Sequence, residues 1–275
     1  ATLLRNTGSR KIRPINSGSA ILKAPLRCAM HHPAAKRVME DMRPLQMGMG
    51  MPSGPQAKVT LARMLVEAGH YASVQDAVNA FNTLHRQAAM DTVGALWNEA
   101  SLLFWKVYGQ DAPCLYAYTD ALGASRVGVI LSKEGVRMGC VWGSLVFCMT
   151  MHHFVYSVLA VKFKDLKQRA LCDDYTTFDA PEDPNNPAQW HALYTKQACF
   201  LAEYDKLANP IGIYRHSGKG KILLPLCAPD PHPDSPLLKC TTVVRDTLRV
   251  GGGDIGEPSA CTRAALAKTA STQPL

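Results

Sequence analysis

Apolar and polar positions along this chain follow two spacings, one typical of helices and one typical of strands. Apolar residues recur every three or four positions over 54–69, 86–109 and about 190–207, which predicts three amphipathic helices. The β-prone runs at 125–131 and 218–226 adjoin glycines and predict strands. Helices and strands in this mixed order are typical of an α+β protein.

One segment is apolar enough to raise the question of a membrane. From Gly143 to Val161 there is no acidic or basic residue, and these 19 residues reach the length of a membrane span. His152 and His153 lie at the middle of the segment, which favours a buried helix with a polar edge. The sequence therefore predicts a core helix and no membrane partner.

Cysteine usage indicates the compartment. The 275 residues include nine cysteines, which are scattered along the chain without any C-x-x-C pair. An odd and unclustered set argues against a zinc ribbon and against a disulfide scaffold. We therefore expect free thiols in a reducing, intracellular compartment.

Positive charge is concentrated near the start of the chain. Residues 1–43 contain nine basic and two acidic residues, so they account for seven of the eight excess positive charges. A basic lobe of this kind suits the phosphates of a nucleic acid or a nucleotide, although a solvated basic arm is the alternative. The candidate nucleic-acid-binding residues are Arg5, Arg10, Lys23, Arg27, Lys36 and Arg37.

Two adjacent carboxylates, Asp173 and Asp174, lie between two β-prone arms in "RALCDDYTTF". Such a pair is usual in a solvated turn. It can also serve metal-dependent phosphoryl or nucleotidyl transfer, which needs several carboxylates around hard cations such as Mg²⁺. Asp76 is the candidate third carboxylate, and the alternative for Asp76 is a helix N-cap.

Several segments in order resemble the motifs of reverse transcriptases of the non-LTR, LINE-like type. "QDAVNAFN" resembles their D-x-x-N-A-F-N motif, and "ALCDDYTTF" resembles their metal-binding hairpin with two aspartates. The other segments that resemble family motifs are 9–29 and 45–59 in the fingers, 132–155 after the first aspartate, 209–225 after the hairpin and 248–260 at the primer grip.

The resemblance implies a role for each acidic residue. Asp76 and Asp173 would ligate Mg²⁺ or Mn²⁺ with the help of Asp174, and Lys219 would lie near the pyrophosphate leaving group. The glycines at 251–253 would allow a close approach of the primer end.

The resemblance also implies a nucleotide site. Phe81 would lie under the sugar of the incoming nucleotide, and Arg13 with Lys11 would contact its phosphates. Met138 and Gly139 stand where the family has Gln-Gly, and a thioether cannot replace the hydrogen bonds of that glutamine.

Three further departures accompany Met138. Leu171 stands where an aromatic residue often precedes the acidic pair, and Arg215-His216 replace Leu-Asn. The segment 70–75 is also more polar than the apolar run expected of a buried palm strand.

The implied architecture is an α+β right hand with an antiparallel palm sheet packed on helices. Fingers are expected over 1–70, the palm over 71–225 with a fingers insertion near 110–131, and a linker with a primer-grip-like turn over 226–275, where a missing thumb would begin.

Two functions remain open at this stage. The first is RNA-templated DNA synthesis, with an RNA template, a DNA primer and a deoxynucleotide as partners. The second is a catalytically inactive RNA-binding or structural subunit of a ribonucleoprotein, for example of an organellar ribosome.

Overall fold

The computed structural model places helices and strands along most of the chain. The described residues are 2–5, 12–15, 20–120, 123–216 and 218–272. Arg10 and Lys11, predicted from the sequence to contact nucleic acid and nucleotide, lie outside these residues.

Strands and helices mix along the described chain, as expected for an α+β protein. The strands are β1 (Thr2–Arg5), β2 (Ile12–Ile15), β3 (Tyr71–Gln75), β4 (Ala112–Thr119), β5 (Ser125–Ser132), β6 (Lys167–Leu171), β7 (Asp174–Asp179), β8 (Lys221–Leu223), β9 (Thr242–Val244), β10 (Thr247–Val250) and β11 (Gly253–Gly256). The α-helices are α1 (Ala20–Met30), α2 (Pro33–Asp41), α3 (Gly54–Glu67), α4 (Ala80–Thr83), α5 (Arg86–Leu96), α6 (Ser101–Tyr108), α7 (Val141–Met151), α8 (Ser157–Lys162), α9 (Pro187–Ala208) and α10 (Pro258–Thr272).

The chain divides into two compact units. The first unit combines residues 1–42, 79–153 and 211–213, and the second combines 43–78, 154–210 and 214–275.

The second unit is built on a five-stranded sheet in the order β6-β7-β3-β8-β9. Neighbouring strands are antiparallel, as predicted for a palm sheet, except that β8 and β9 are parallel. Gln75 at the end of β3 lies opposite Tyr175 in β7. One further step in this register brings Asp76 beside Asp174, so two of the predicted metal ligands meet at one end of the sheet.

The two faces of β3 differ in polarity. On one face Ala72 belongs to a buried apolar cluster with Phe178, Leu223 and Leu248, and Val74 packs against that cluster. On this face the strand is held by burial of apolar surface.

The other face of β3 carries a buried polar network, which accounts for the polar sequence of this strand. The Gln197 side chain donates to the Ser73 hydroxyl at 3.1 Å and accepts from the hydroxyls of Tyr71 and Thr177, each at 3.0 Å. All four side chains are buried. Because the polar groups satisfy one another, the strand is interior despite its composition.

The first unit contains two hairpins and helices α1, α2 and α4–α7. β1 pairs with β2, and β4 pairs with β5 over eight residue pairs.

The helix predicted over 86–109 is interrupted: α5 ends at Leu96, and a 3₁₀ turn at Asn98–Ala100 precedes α6. Trp97 at the break is buried and stacks on His32. This tertiary packing overrides the continuous helical pattern.

In the described part of the chain one helix, Trp142–Lys162, is long and apolar enough to cross a membrane by length and composition alone. Of its apolar window, 56% is buried inside the structure. Core helices of soluble proteins pass the same test, so this helix by itself is only a weak indication of a membrane. It includes a π-helical turn at His152–Tyr156, which contains both predicted midpoint histidines.

Candidate functional site

The turn that carries the acidic pair is held by a buried glutamine. Strands β6 and β7 form the predicted hairpin, and Cys172 at its tip has a left-handed backbone with φ of 55°. The Gln46 side-chain oxygen accepts from the Cys172 N–H at 2.9 Å and from the Gly48 N–H at 2.8 Å. The Tyr156 hydroxyl donates to the Cys172 carbonyl at 2.9 Å. These bonds fix the backbone from which Asp173 and Asp174 project.

Asp174 is the counter-charge of a buried lysine. The Lys58 ammonium lies 3.4 Å from Oδ1 of Asp174 and donates to the Asp174 carbonyl at 2.6 Å. The Lys58 side chain is fully buried, whereas that of Asp174 is 30% exposed. Burial lowers the pKa of Lys58, and the negative charge of Asp174 opposes that shift.

Asp76 has a lysine partner of a different kind. The Lys219 ammonium lies 2.7 Å from Oδ2 of Asp76, and both side chains are about two-fifths exposed. An ion pair in contact with water is worth little and exchanges readily. Asp76 is therefore the more available of the two carboxylates.

The loop that carries Lys219 is anchored to the sheet by Arg215. The guanidinium makes two bonds to the Asp205 carboxylate, at 2.6 and 2.5 Å, and a third to the Gln75 side chain at 3.2 Å. The adjacent His216 N–H donates to the Asp76 carbonyl at 2.8 Å. Arg215, which departs from the family pattern, thus fixes the path of the loop beside Asp76.

A glycine hairpin completes the site. The turn between β10 and β11 contains Gly251 and Gly252, with φ of 53° and 91°. The Gly251 N–H donates to Oδ2 of Asp174 at 3.0 Å. The segment predicted to resemble a primer grip therefore lies directly against the acidic turn.

Replacing Gly251 by Ala tests the conformation of this turn, because alanine keeps the backbone N–H that donates to Asp174. A Cβ at this position meets nothing closer than 3.5 Å, so the substitution is opposed by the left-handed backbone rather than by crowding. We expect the free energy of unfolding to fall by about 1 kcal/mol. Urea unfolding measures the change, with Gly69→Ala as the control, since Gly69 has φ of 85° and open space around it. A loss at Gly251 far above that at Gly69 would contradict a purely conformational cost.

These elements enclose one pocket in the second unit, with a volume of about 530 Å³. Two carboxylates, three cations and three glycines contribute to its wall, and the lining residues are Val74, Asp76, Asp174, Gly218, Lys219, Lys221, Thr247, Leu248, Arg249, Gly251 and Gly252. Three of the four predicted catalytic residues are thus brought together.

Asp173 belongs to the same turn but does not line the pocket. It is partly buried. The pKa of Tyr204 is raised chiefly by burial and further by the charge of Asp173, and Asp76 contributes to the same shift.

The donor set suits a hard divalent cation, because carboxylate oxygens are the ligands that Mg²⁺ prefers. Among the described residues, however, no group of three His, Cys, Asp or Glu side chains is arranged to hold a metal ion. Oδ1 of Asp174 is buried and has no hydrogen-bond partner apart from the ion pair with Lys58. With two carboxylates in the pocket and one of them held by Lys58, the residues fit one divalent ion better than two.

The predicted nucleotide-binding residues Phe81, Met138 and Gly139 lie in the first unit. Phe81 is buried and stacks on Phe147, with ring centroids 4.4 Å apart. Met138 is partly buried, and Gly139 is exposed with φ of 88°.

The predicted basic residues also lie in the first unit. Arg5 ends β1, and Arg13 lies in β2. Lys23 and Arg27 belong to α1, whereas Lys36 and Arg37 belong to α2. Arg27, Lys36 and Arg37 are exposed, and Lys23 is partly buried.

Sequence reasoning missed two residues that shape the site, Lys58 and Gln46. Lys58 shares the buried face of α3 with Gly54 and Ala62, at intervals of four residues. This spacing is the only feature of the sequence that indicates burial of Lys58, since it places the lysine on the same helix face as two small residues. For Gln46 the sequence offers no comparable signal.

The sequence and the fold were compared with those of known proteins. No family model matches the chain, and no curated protein matches it. Among solved structures, apo telomerase from Candida tropicalis truncated from its C-terminal domain is similar, with 12% identity over 85% of this chain and 43% of that chain and a TM-score of 0.51. Apo telomerase from the same organism matches with 11% identity over 85% of this chain and 39% of that chain, also at 0.51.

Telomerase is related to reverse transcriptases, and the similarity concerns the fold. The fold is reverse transcriptase-like. This part of the sequence prediction is confirmed, whereas the neighbours give the LINE-like subtype no support. The chain spans less than half the length of the telomerase chains it matches.

Proposed function

We propose that this chain carries the palm of a reverse transcriptase-type polymerase, which extends a DNA primer on an RNA template. The observation that supports it most is the convergence of Asp76, Asp174 and Lys219 on one pocket beside the 251–252 turn. These three residues and the turn come from four separate segments of the sequence. The motif resemblance further favours an origin in a LINE-like retroelement.

In this proposal Asp76 would hold Mg²⁺ or Mn²⁺. The motif resemblance also assigns Asp173 and Asp174 to the metal, but the Lys58 ammonium already lies against Asp174. Held there, a divalent ion would supply Lewis acidity for the primer hydroxyl and positive charge for the reacting phosphate. Lys219, whose exposed side chain lies beside Asp76, would contact the departing pyrophosphate, where a cation stabilises developing negative charge.

The remaining wall of the pocket serves the nucleic acid and the nucleotide. Lys221 and Arg249 supply positive charge for phosphate groups. Gly251 and Gly252 have no side chains, so a primer end can approach the backbone closely.

The basic side chains of helices α1 and α2 are the proposed contact for the phosphate backbone of RNA. The triple substitution Arg27→Gln, Lys36→Gln and Arg37→Gln is expected to reduce the slope of log affinity against log salt concentration by about 2. Fluorescence anisotropy with a labelled RNA at several salt concentrations measures this slope. The matched control is Lys162→Gln, Lys206→Gln and Lys239→Gln, which removes equal charge from exposed positions of the second unit. Equal slopes for both triple variants would contradict the assignment.

A second candidate function is a non-catalytic RNA-binding subunit of a ribonucleoprotein. The pair of Lys58 with Asp174 favours it, because a buried ammonium engages one of the three predicted metal ligands. Met138, at the position of the family glutamine, favours it as well.

Primer extension on an RNA template with Mg²⁺ or Mn²⁺ separates the two candidates. The Asp76→Asn variant is the control, since its ion pair is exposed and its loss should not disturb the fold. If the parent extends the primer and Asp76→Asn does not, the result supports the proposed polymerase function. Salt-sensitive RNA binding without extension, equal in both proteins, would overturn it in favour of the RNA-binding subunit.

A further inference from the structure

We propose that the Lys58 ammonium takes the place of a divalent ion at Asp174, so that the pocket accepts an ion at Asp76 but not a second one at Asp174. This inference rests on the proposed function, because it concerns metal ions in the same pocket. It assigns a role to a residue that no motif of the sequence singled out.

The first support is the geometry of the ammonium. It reaches both the carboxylate and the backbone carbonyl of Asp174, at 3.4 and 2.6 Å. A single cation therefore bridges two oxygens of the residue that would otherwise offer them to a metal ion. Oδ2 of Asp174 already accepts from the Gly251 N–H. The carbonyl oxygen and Oδ2 of Asp174 thus accept hydrogen bonds from the chain, and Oδ1 is paired with the Lys58 charge alone.

The second support is the charge balance around the turn. Lys58 is fully buried, and its nearest negative charges are Asp174 and then Asp173. A buried cation needs a counter-charge nearby, since an uncompensated charge in the interior is costly. A divalent ion at Asp174 would take that counter-charge from Lys58 and would lie within a few ångströms of a like charge.

The third support is the burial of the whole Lys58 side chain. Its position lies on the buried face of α3, and the end of its aliphatic chain lies beside Gly251. Neighbouring residues of α3, Val59 and Ala62, pack in the apolar cluster of the sheet. Lys219 differs, because it lies on a loop with a side chain that is 44% exposed and can move aside.

Counting bound Mn²⁺ tests the inference without any assay of activity. The full chain, free of nucleic acid, is titrated with Mn²⁺, and free ion is measured by electron paramagnetic resonance. Lys58→Met keeps the length of the side chain and removes its charge, so this variant is expected to bind one more ion per chain than the parent. Arg63→Met is the matched control, because it removes an exposed cation from the same helix and should leave the count unchanged. An unchanged count in Lys58→Met, or two ions in the parent, would overturn the inference.

A second variant covers the case in which Lys58→Met does not fold. The double variant Lys58→Met/Asp174→Asn leaves no uncompensated buried charge, retains an acceptor for Gly251 and should bind as many ions as the parent, because Asp174 holds none. A lower count in this double variant would overturn the inference. The count is independent of primer extension: a parent that extends no primer while Lys58→Met gains an ion would refute the proposed function and leave the role of Lys58 intact.

Discussion

Asp174→Ala is expected to lower the free energy of unfolding by about 3 kcal/mol, at the lower end of the range for breaking a buried ion pair. The substitution leaves the Lys58 ammonium in the interior without a counter-charge. Partial exposure of Asp174 limits the loss, since water can reach one side of the pair. Urea unfolding followed by circular dichroism measures the difference from the parent.

Two control variants separate the effect of the buried ion pair from the general effect of removing a carboxylate. Asp76→Ala removes a carboxylate whose lysine partner is exposed, so its cost should stay below about 1 kcal/mol. The double variant Lys58→Met/Asp174→Ala removes both charges and should recover most of the stability lost in Asp174→Ala. Equal losses in Asp174→Ala and Asp76→Ala would show that the buried pair does not distinguish the two aspartates.

Asp76→Asn is expected to reduce RNA-templated primer extension by about a hundredfold or more, because the amide is a far weaker ligand for a divalent ion than the carboxylate. The isosteric change keeps the backbone contact between Asp76 and His216. Stability and RNA affinity should therefore remain close to those of the parent.

Single-turnover extension at saturating nucleotide measures the effect on the chemical step. Lys162→Gln is the control, since Lys162 lies on α8, outside the lining of the pocket, and pairs with Glu203. If Asp76→Asn extended primers at the parental rate, Asp76 would not be a catalytic residue.

Local patterns predicted much of the second unit correctly. The helix over 54–69 and the acidic hairpin are both present, because each is determined by spacing and turn chemistry within a few residues. The strand before Asp76 is also present, but its prediction came from the motif resemblance. The meeting of Asp76 and Lys219 came from the motif resemblance, and it depends on pairing across 143 positions of the chain.

Other features depend on tertiary contacts that no local pattern contains. A lysine in an amphipathic helix is expected on the solvent-exposed face. Lys58 is buried instead, and only the acidic turn 116 positions away explains this. The polar face of β3 is interior because Gln197, which lies 124 positions from Ser73, satisfies its hydrogen bonds. Trp97 breaks the predicted helix through packing against His32.

The most direct test of the central claim is a crystal structure of the chain with Mn²⁺ and a non-hydrolysable deoxynucleoside triphosphate, examined by anomalous scattering. We expect one manganese peak at Asp76, no peak at Asp174, and the triphosphate against Lys219, Lys221 and Arg249. Nucleotide and manganese bound away from this pocket would contradict the claim that it is the site of nucleotidyl transfer.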